Sequence, residues 1–136
     1  MNTWLFPALT ALINFGLWGF FAKCTVNHID SKSAFFYQTL GAALIGLIGL
    51  CLFGLKPALD ARGISYGLLT GATYSLGCLF FFFAVNRGSI TTIVTLTALY
   101  PLVTILLSYF ILHEAISLRQ FLGITFAVVA MYLFAG

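Results

Sequence analysis

The chain has 136 residues, 62% of them hydrophobic and only 7% charged, with a formal net charge of +3 from six Lys/Arg and three Asp/Glu. Charges this few, with no basic run among them, exclude a nucleic-acid surface. A soluble domain of this size could not hide so much apolar side chain, since small domains leave much of their surface in water, so the lipid bilayer has to be the solvent.

A hydrocarbon core about 30 Å thick asks for roughly 20 apolar residues per spanning helix. Five segments meet or approach that length, and they predict an all-α membrane protein of five transmembrane helices in a single domain, residues 1–136. Helices are expected because the apolar runs are continuous, without the alternation of a barrel strand. Backbone groups in lipid must also be satisfied within the segment.

Span 1 is expected over residues 3–22. The N-terminal Met1-Asn2-Thr3-Trp4 lacks a positive n-region, so the segment is expected to be a retained helix rather than a signal peptide. Thr10, Asn14 and Trp18 recur at a spacing of four, which places them on one face. An amide in mid-span such as Asn14 should face a partner or a cavity. Trp18 has two readings, a ring stacked over a solute and an anchor at the membrane interface.

Span 2 is expected over residues 33–54, with Tyr37 and Gln38 near its start as cavity-lining or interhelical groups. Gly41, Ala42, Gly46 and Gly49 give it a close-packing face. Lys56-Pro57 breaks the chain before span 3, residues 64–85. There Gly63, Gly67, Gly71 and Ser75 form a ridge of small residues that suits close helix packing, within one chain more than between chains. Thr73 and Tyr74 sit in mid-span. Gly88 suits a helix C-cap and Ser89 an N-cap, which predicts a tight hairpin into span 4, residues 90–112.

Span 4 carries Thr97, Pro101, Thr104 and Ser108 on one narrow face. Pro101 has no amide proton to give the Thr97 carbonyl and disrupts the turn before it. A kinked, hydroxylated face suits a polar permeation path, and it equally suits hydroxyls bonded to their own backbone. The turn from His113 to Arg119 holds Glu114, whose expected role is structural. Ser117-x-x-Gln120 is a capping box that opens span 5, residues 120–135.

Chemistry beyond binding is not encoded. Cys24, Cys51 and Cys78 are scattered and form no C-x-x-C pair, so no disulfide framework, metal site or cofactor is expected. No paired carboxylates or nucleophile–base arrangement exists, so an enzyme is not expected. Asp30, Asp60 and Glu114 all lie in loops or at span ends, which argues against exchange driven by an intramembrane carboxylate.

Lys and Arg favour the cytoplasmic side of a membrane. Lys56, Arg62 and Arg119 would lie on one side and Lys23, Lys32 and Arg87 on the other, three against three. That balance favours dual topology, the same chain inserting both ways. An antiparallel pair of five-span chains would reproduce a ten-span transporter of inverted repeats.

Leu99-Tyr100-Pro101-Leu102, followed by the run from His113-Glu114 through Gln120 to Gly123, resembles the EamA-like family of the drug/metabolite transporter superfamily. Phe15-Gly16-Leu17-Trp18-Gly19-Phe20 is similar to that family's Trp-Gly signature, and Tyr74 through Ala84 with Gly88-Ser89 to its third helix and tight turn. The resemblance covers all five spans and is most specific from Pro101 to Gly123. It implies a five-helix inverted-repeat unit, half of a ten-helix transporter with a central cavity, that moves amino acids and other small polar or amphipathic metabolites. The family's cavity residues carry over to Asn14, Trp18, Tyr74 and the Pro101 face. A single unit implies a homodimer or a second half-size partner, in what is expected to be a bacterial inner membrane. A subunit of a lipid-carrier flippase and a non-transporting scaffold are the alternatives.

Overall fold

The computed structural model describes residues 4–54 and 59–135, the last two of these by backbone alone. Thr3, at the expected start of span 1, and the Lys56-Pro57 breaker lie outside the described residues. Six helices follow in order, α1 (Leu5–Val26), α2 (Ser31–Phe53), α3 (Ala61–Arg87), α4 (Ile90–Thr97), α5 (Tyr100–Ile111) and α6 (Leu118–Ala135), with no strand among the described residues. α1, α2, α3 and the stretch Ile90–Ile111 are each long and apolar enough to cross a membrane, and α6 is a shorter apolar helix. Large apolar side chains such as Leu44, Ile45, Phe80 and Phe126 are exposed along these helices, as lipid-facing residues must be. The chain is an integral membrane protein.

Helix boundaries move from their expected places for local reasons. α1 continues past Ala22 to Val26, so Lys23 lies in its last turn rather than in a loop. α2 begins at Ser31 because the Asp30 carboxylate caps it, accepting from the Lys32 and Ser33 amides at 3.0 and 3.2 Å. α2 ends at Gly54, whose φ of 77° is left-handed and needs a residue without a Cβ. α3 opens three residues early because the Asp60 carboxylate accepts from the Gly63 amide at 2.7 Å.

Asp30 is held below the ordinary aspartate value of 3.8, first by the Ser33 hydroxyl and then by the Ser33 and Lys32 amides. The sign follows directly: a depressed carboxylate adds stability that is full above 3.8 and is lost as pH falls through its lower folded value. Asp30→Ala should therefore be less stable than the parent at neutral pH, and the gap should close in acid. Thermal unfolding of both proteins in detergent across pH 7 to about 2.5 measures it.

The chain divides into two compact units, Met1–Arg87 and Gly88–Gly136. In the first unit every buried residue lies at one end. Gly19, Ala22 and Val26 come from the last turns of α1, Ser31 and Ala34 from the first turn of α2, and Cys78, Phe81, Phe82 and Val85 from the last turns of α3. Small residues on α1 and α2 let the α3 aromatics fill the gap, the packing that holds helices together in lipid. Two polar side chains complete this end by reaching the last carbonyls of α3. The Lys23 ammonium donates to the Val85 carbonyl at 2.9 Å, and the buried Ser31 hydroxyl donates to the Phe82 carbonyl at 3.2 Å. The Val85 carbonyl is among the last four of α3, which a helix end leaves without partners, and a cation there also suits the helix dipole.

The glycine ridge on α3 does not take part in this packing. A Cβ placed on Gly67 or Gly71 would meet nothing within 4 Å, and the only near neighbour of Gly63 is its own cap, Asp60. The same open space lies beside Gly41, Gly46 and Gly49 of α2.

In the second unit span 4 is two helices. α4 stops at Thr97, Ala98 and Leu99 form a turn, and Pro101 is the second residue of α5, where its missing amide proton leaves no helical bond unmade. The expected broken turn is present and resolved by a helix restart. Gly88 and Ser89 separate α3 from α4, but the Ser89 hydroxyl makes no capping bond, so that N-cap does not form as expected.

α5 ends at Ile111 with His113 at φ 55°, and the chain folds back so that the Glu114 amide meets the Ser108 carbonyl at 3.3 Å. The turn is closed by the backbone of Glu114. Histidine adopts this backbone more readily than most residues, and a β-branched residue does not. His113→Gly should hold or raise stability by up to about 1 kcal/mol and His113→Val should lower it by about 1–2 kcal/mol, read from thermal unfolding in detergent. The Ser117–Gln120 capping box forms in both directions. The Ser117 amide donates to Gln120 Oε1 at 2.9 Å and the Gln120 amide to Ser117 Oγ at 3.3 Å, so α6 starts at Leu118.

Candidate solute site

The first unit brings two of the expected cavity residues together. The Trp18 indole N–H donates to Gln38 Oε1 at 3.0 Å, joining α1 to α2. The Trp18 ring also lies against Phe81 of α3, with centroids 4.6 Å apart and planes inclined at 37°. All three helices of the unit thus meet at one aromatic–amide cluster. Gln38 is seven residues from the start of α2, about 10 Å along the helix at 1.5 Å per residue. The cluster is therefore the inner limit of the packed end.

The other candidates of this unit stay apart from it. The Asn14 side-chain amide donates to the Thr10 carbonyl at 2.8 Å, and the Thr10 hydroxyl to the Phe6 carbonyl at 3.0 Å, so both are satisfied within α1. Asn14 is exposed, on the turn beyond Trp18. Tyr37 is exposed and packs edge-on against its neighbour Phe36. Tyr74 is half exposed, one turn from buried Cys78.

In the second unit a cleft of about 410 Å³ lies between α5 and α6, with α4 packed against α6. Its lining is mainly apolar, with Ser108, Glu114 and Gln120 as the polar groups. Pro101 lines it; Thr97 and Thr104 do not. The Thr97 hydroxyl donates to the Ile93 carbonyl at 2.8 Å and the Thr104 hydroxyl to the Tyr100 carbonyl at 3.4 Å, so both are turned onto their own backbones. Among the described residues no group of three His, Cys, Asp or Glu could hold a metal ion.

Sequence reasoning named Trp18 and Gln38 singly and missed Phe81. The pairing depends on how far α1 and α2 slide along each other, which the length of the Asn27–Asp30 connection sets and no periodicity reveals. Phe81 sits in a run of four phenylalanines, and only packing distinguishes it from lipid-facing Phe80.

Residues 2–136, essentially the whole chain, match the EamA-like transporter family. The chain belongs to the EamA-like transporter family. An uncharacterized protein of Methanocaldococcus jannaschii is 26% identical over 98% of this EamA-like chain and 96% of its own length. The glucose uptake protein GlcU of Staphylococcus xylosus is 28% identical over 74% of this chain, which spans 34% of that protein. A probable glucose uptake protein GlcU of Staphylococcus epidermidis is 25% identical over 88% of this chain, which spans 40% of that protein. The EamA-like chain thus spans about one third to two fifths of the glucose uptake proteins it matches. No solved structure matches it.

Proposed function

We propose that the protein moves small polar or amphipathic metabolites, such as amino acids or related solutes, across the inner membrane of a bacterium, and that two copies working antiparallel form the transporter. The family match over residues 2–136 carries the transport reading. The glucose uptake proteins are long enough to hold a second such unit, since the part this chain matches is 34–40% of their length. A pair of copies would supply that second unit, and the even split of basic residues between the two sides supports opposite orientations. The mechanism is alternating access, the two units rocking about a midplane site. The Ala98–Leu99 turn supplies a joint within span 4. No charged residue lies in the apolar middle of a span, so the reading is of facilitated movement or export rather than carboxylate-coupled exchange.

The test is the placement of the chain end. A single cysteine is put at residue 136 in a chain lacking Cys24, Cys51 and Cys78, and an impermeant thiol reagent is applied to intact and opened cells. About half the chains labelled from each side supports the antiparallel pair. Labelling from one side alone overturns it. Uptake of labelled solutes into vesicles holding the purified chain tests transport itself.

A further inference from the structure

We infer that Gln38 is the solute-contacting donor of the first unit, that Trp18 positions it, and that the solute is an uncharged, hydroxyl- or carbonyl-bearing molecule. This rests on the transport reading above and narrows its solutes to neutral molecules, setting aside the amino acids named there.

The hydrogen bond fixes which end of the amide is available. An indole N–H can only donate, so the Gln38 atom it meets at 3.0 Å has to be the oxygen. The amide NH2 is then turned away from Trp18 with two N–H groups, and none of the described residues accepts from it. No side-chain polar atom among the described residues is both buried and unpartnered, so this NH2 is reachable from outside the unit. In lipid an amide left so is costly. Phe81 packs against the Trp18 ring and restricts its movement away from Gln38.

The helices leave room beside the amide. One turn beyond the cluster, on the same face of each helix, stand Asn14 on α1, Gly41 and Ala42 on α2, and Gly77 on α3. A Cβ at Gly41 or Gly77 would meet nothing within 4 Å. From the cluster outward, α1 over residues 5–18, α2 over 38–53 and α3 over 63–81 carry no Asp, Glu, Lys or Arg. An ionic solute would find no counter-charge there, and an unpaired ion in low dielectric is expensive. An amide donor beside an aromatic ring suits oxygen acceptors on a neutral molecule.

The experiment uses the full chain in lipid vesicles, with radiolabelled glucose and mannitol as neutral hydroxylated probes, and zwitterionic alanine and anionic glutamate as ionic ones. Binding is read by scintillation proximity and movement by uptake. Glucose or mannitol should bind saturably and alanine and glutamate should not. Gln38→Leu should weaken that binding about tenfold or more, the worth of one or two hydrogen bonds. Trp18→Phe keeps the ring on Phe81 but removes the donor, and should weaken it by a similar factor. In the Gln38→Leu background it should add nothing, since Trp18 acts through Gln38. Helix content by circular dichroism shows that each variant is folded, and Phe80→Leu serves as a lipid-facing control.

Binding of alanine or glutamate in preference to both neutral probes overturns the inference. So does binding of glucose or mannitol that Gln38→Leu leaves unchanged in the folded variant, and so does failure of all four to bind. Uptake of alanine without binding of the neutral probes would leave the transport reading standing and this one fallen. Binding of a neutral probe with no movement would do the reverse.

Discussion

Two arginines added beside the α1–α2 connection, Asn27→Arg and His28→Arg, are expected to fix every chain in one orientation and to abolish solute movement. Both positions are exposed, so the change acts on insertion rather than on packing. The present count is three basic residues on each side, and two more make five against three. Short loops of this kind are where the charge bias sets orientation. The opposite bias comes from Leu59→Arg and Leu112→Arg, at exposed positions that flank α3 and α5. Each biased chain alone should be labelled from one side and be inactive, and co-expression of the two should restore uptake. Activity in a chain fixed in one orientation would sink the antiparallel pair.

The largest loss of stability is expected from Phe82→Ala. Phe82 is 2% exposed and packs at the end where α1, α2 and α3 meet, while Phe80, two residues earlier, is 66% exposed. Removing a buried ring leaves a cavity that its neighbours close only in part, a change of about 3–5 kcal/mol. Phe80→Ala should cost well under 1 kcal/mol, the scale of a surface change. Equilibrium unfolding of the purified protein in mixed detergent gives both values. Similar losses at the two positions would mean that the packed end is not where this unit gets its stability.

Much of the architecture was legible because lipid leaves few options. Long runs without charge specify helices, and all five spans were visible, as were the interruption before Pro101 and the Ser117–Gln120 cap. What composition could not show was where a polar side chain turns. Lys23 reads as the start of a loop, yet it lies in the last turn of α1 and its ammonium reaches the Val85 carbonyl of α3. Asp30 and Asp60 stood in plain view as loop residues, and their capping was missed because each requires a count of two or three residues to the amide it accepts from. Thr97 and Thr104 were placed on one face of span 4, but a hydroxyl within reach of its own helix carbonyl bonds there first. Trp18 and Gln38 were both singled out, and only the register of α1 against α2 makes them a pair.

The bond from Lys23 to Val85 joins residues 62 apart in sequence, and that separation has a meaning in time. Synthesis proceeds at about 5–20 residues per second, so the Val85 carbonyl is made roughly 3–12 s after Lys23. α2 is made within that interval, so it forms before the clasp that locks its shared end with α1 exists. The packed end of the first unit is thus completed only after nearly two thirds of the chain has been made.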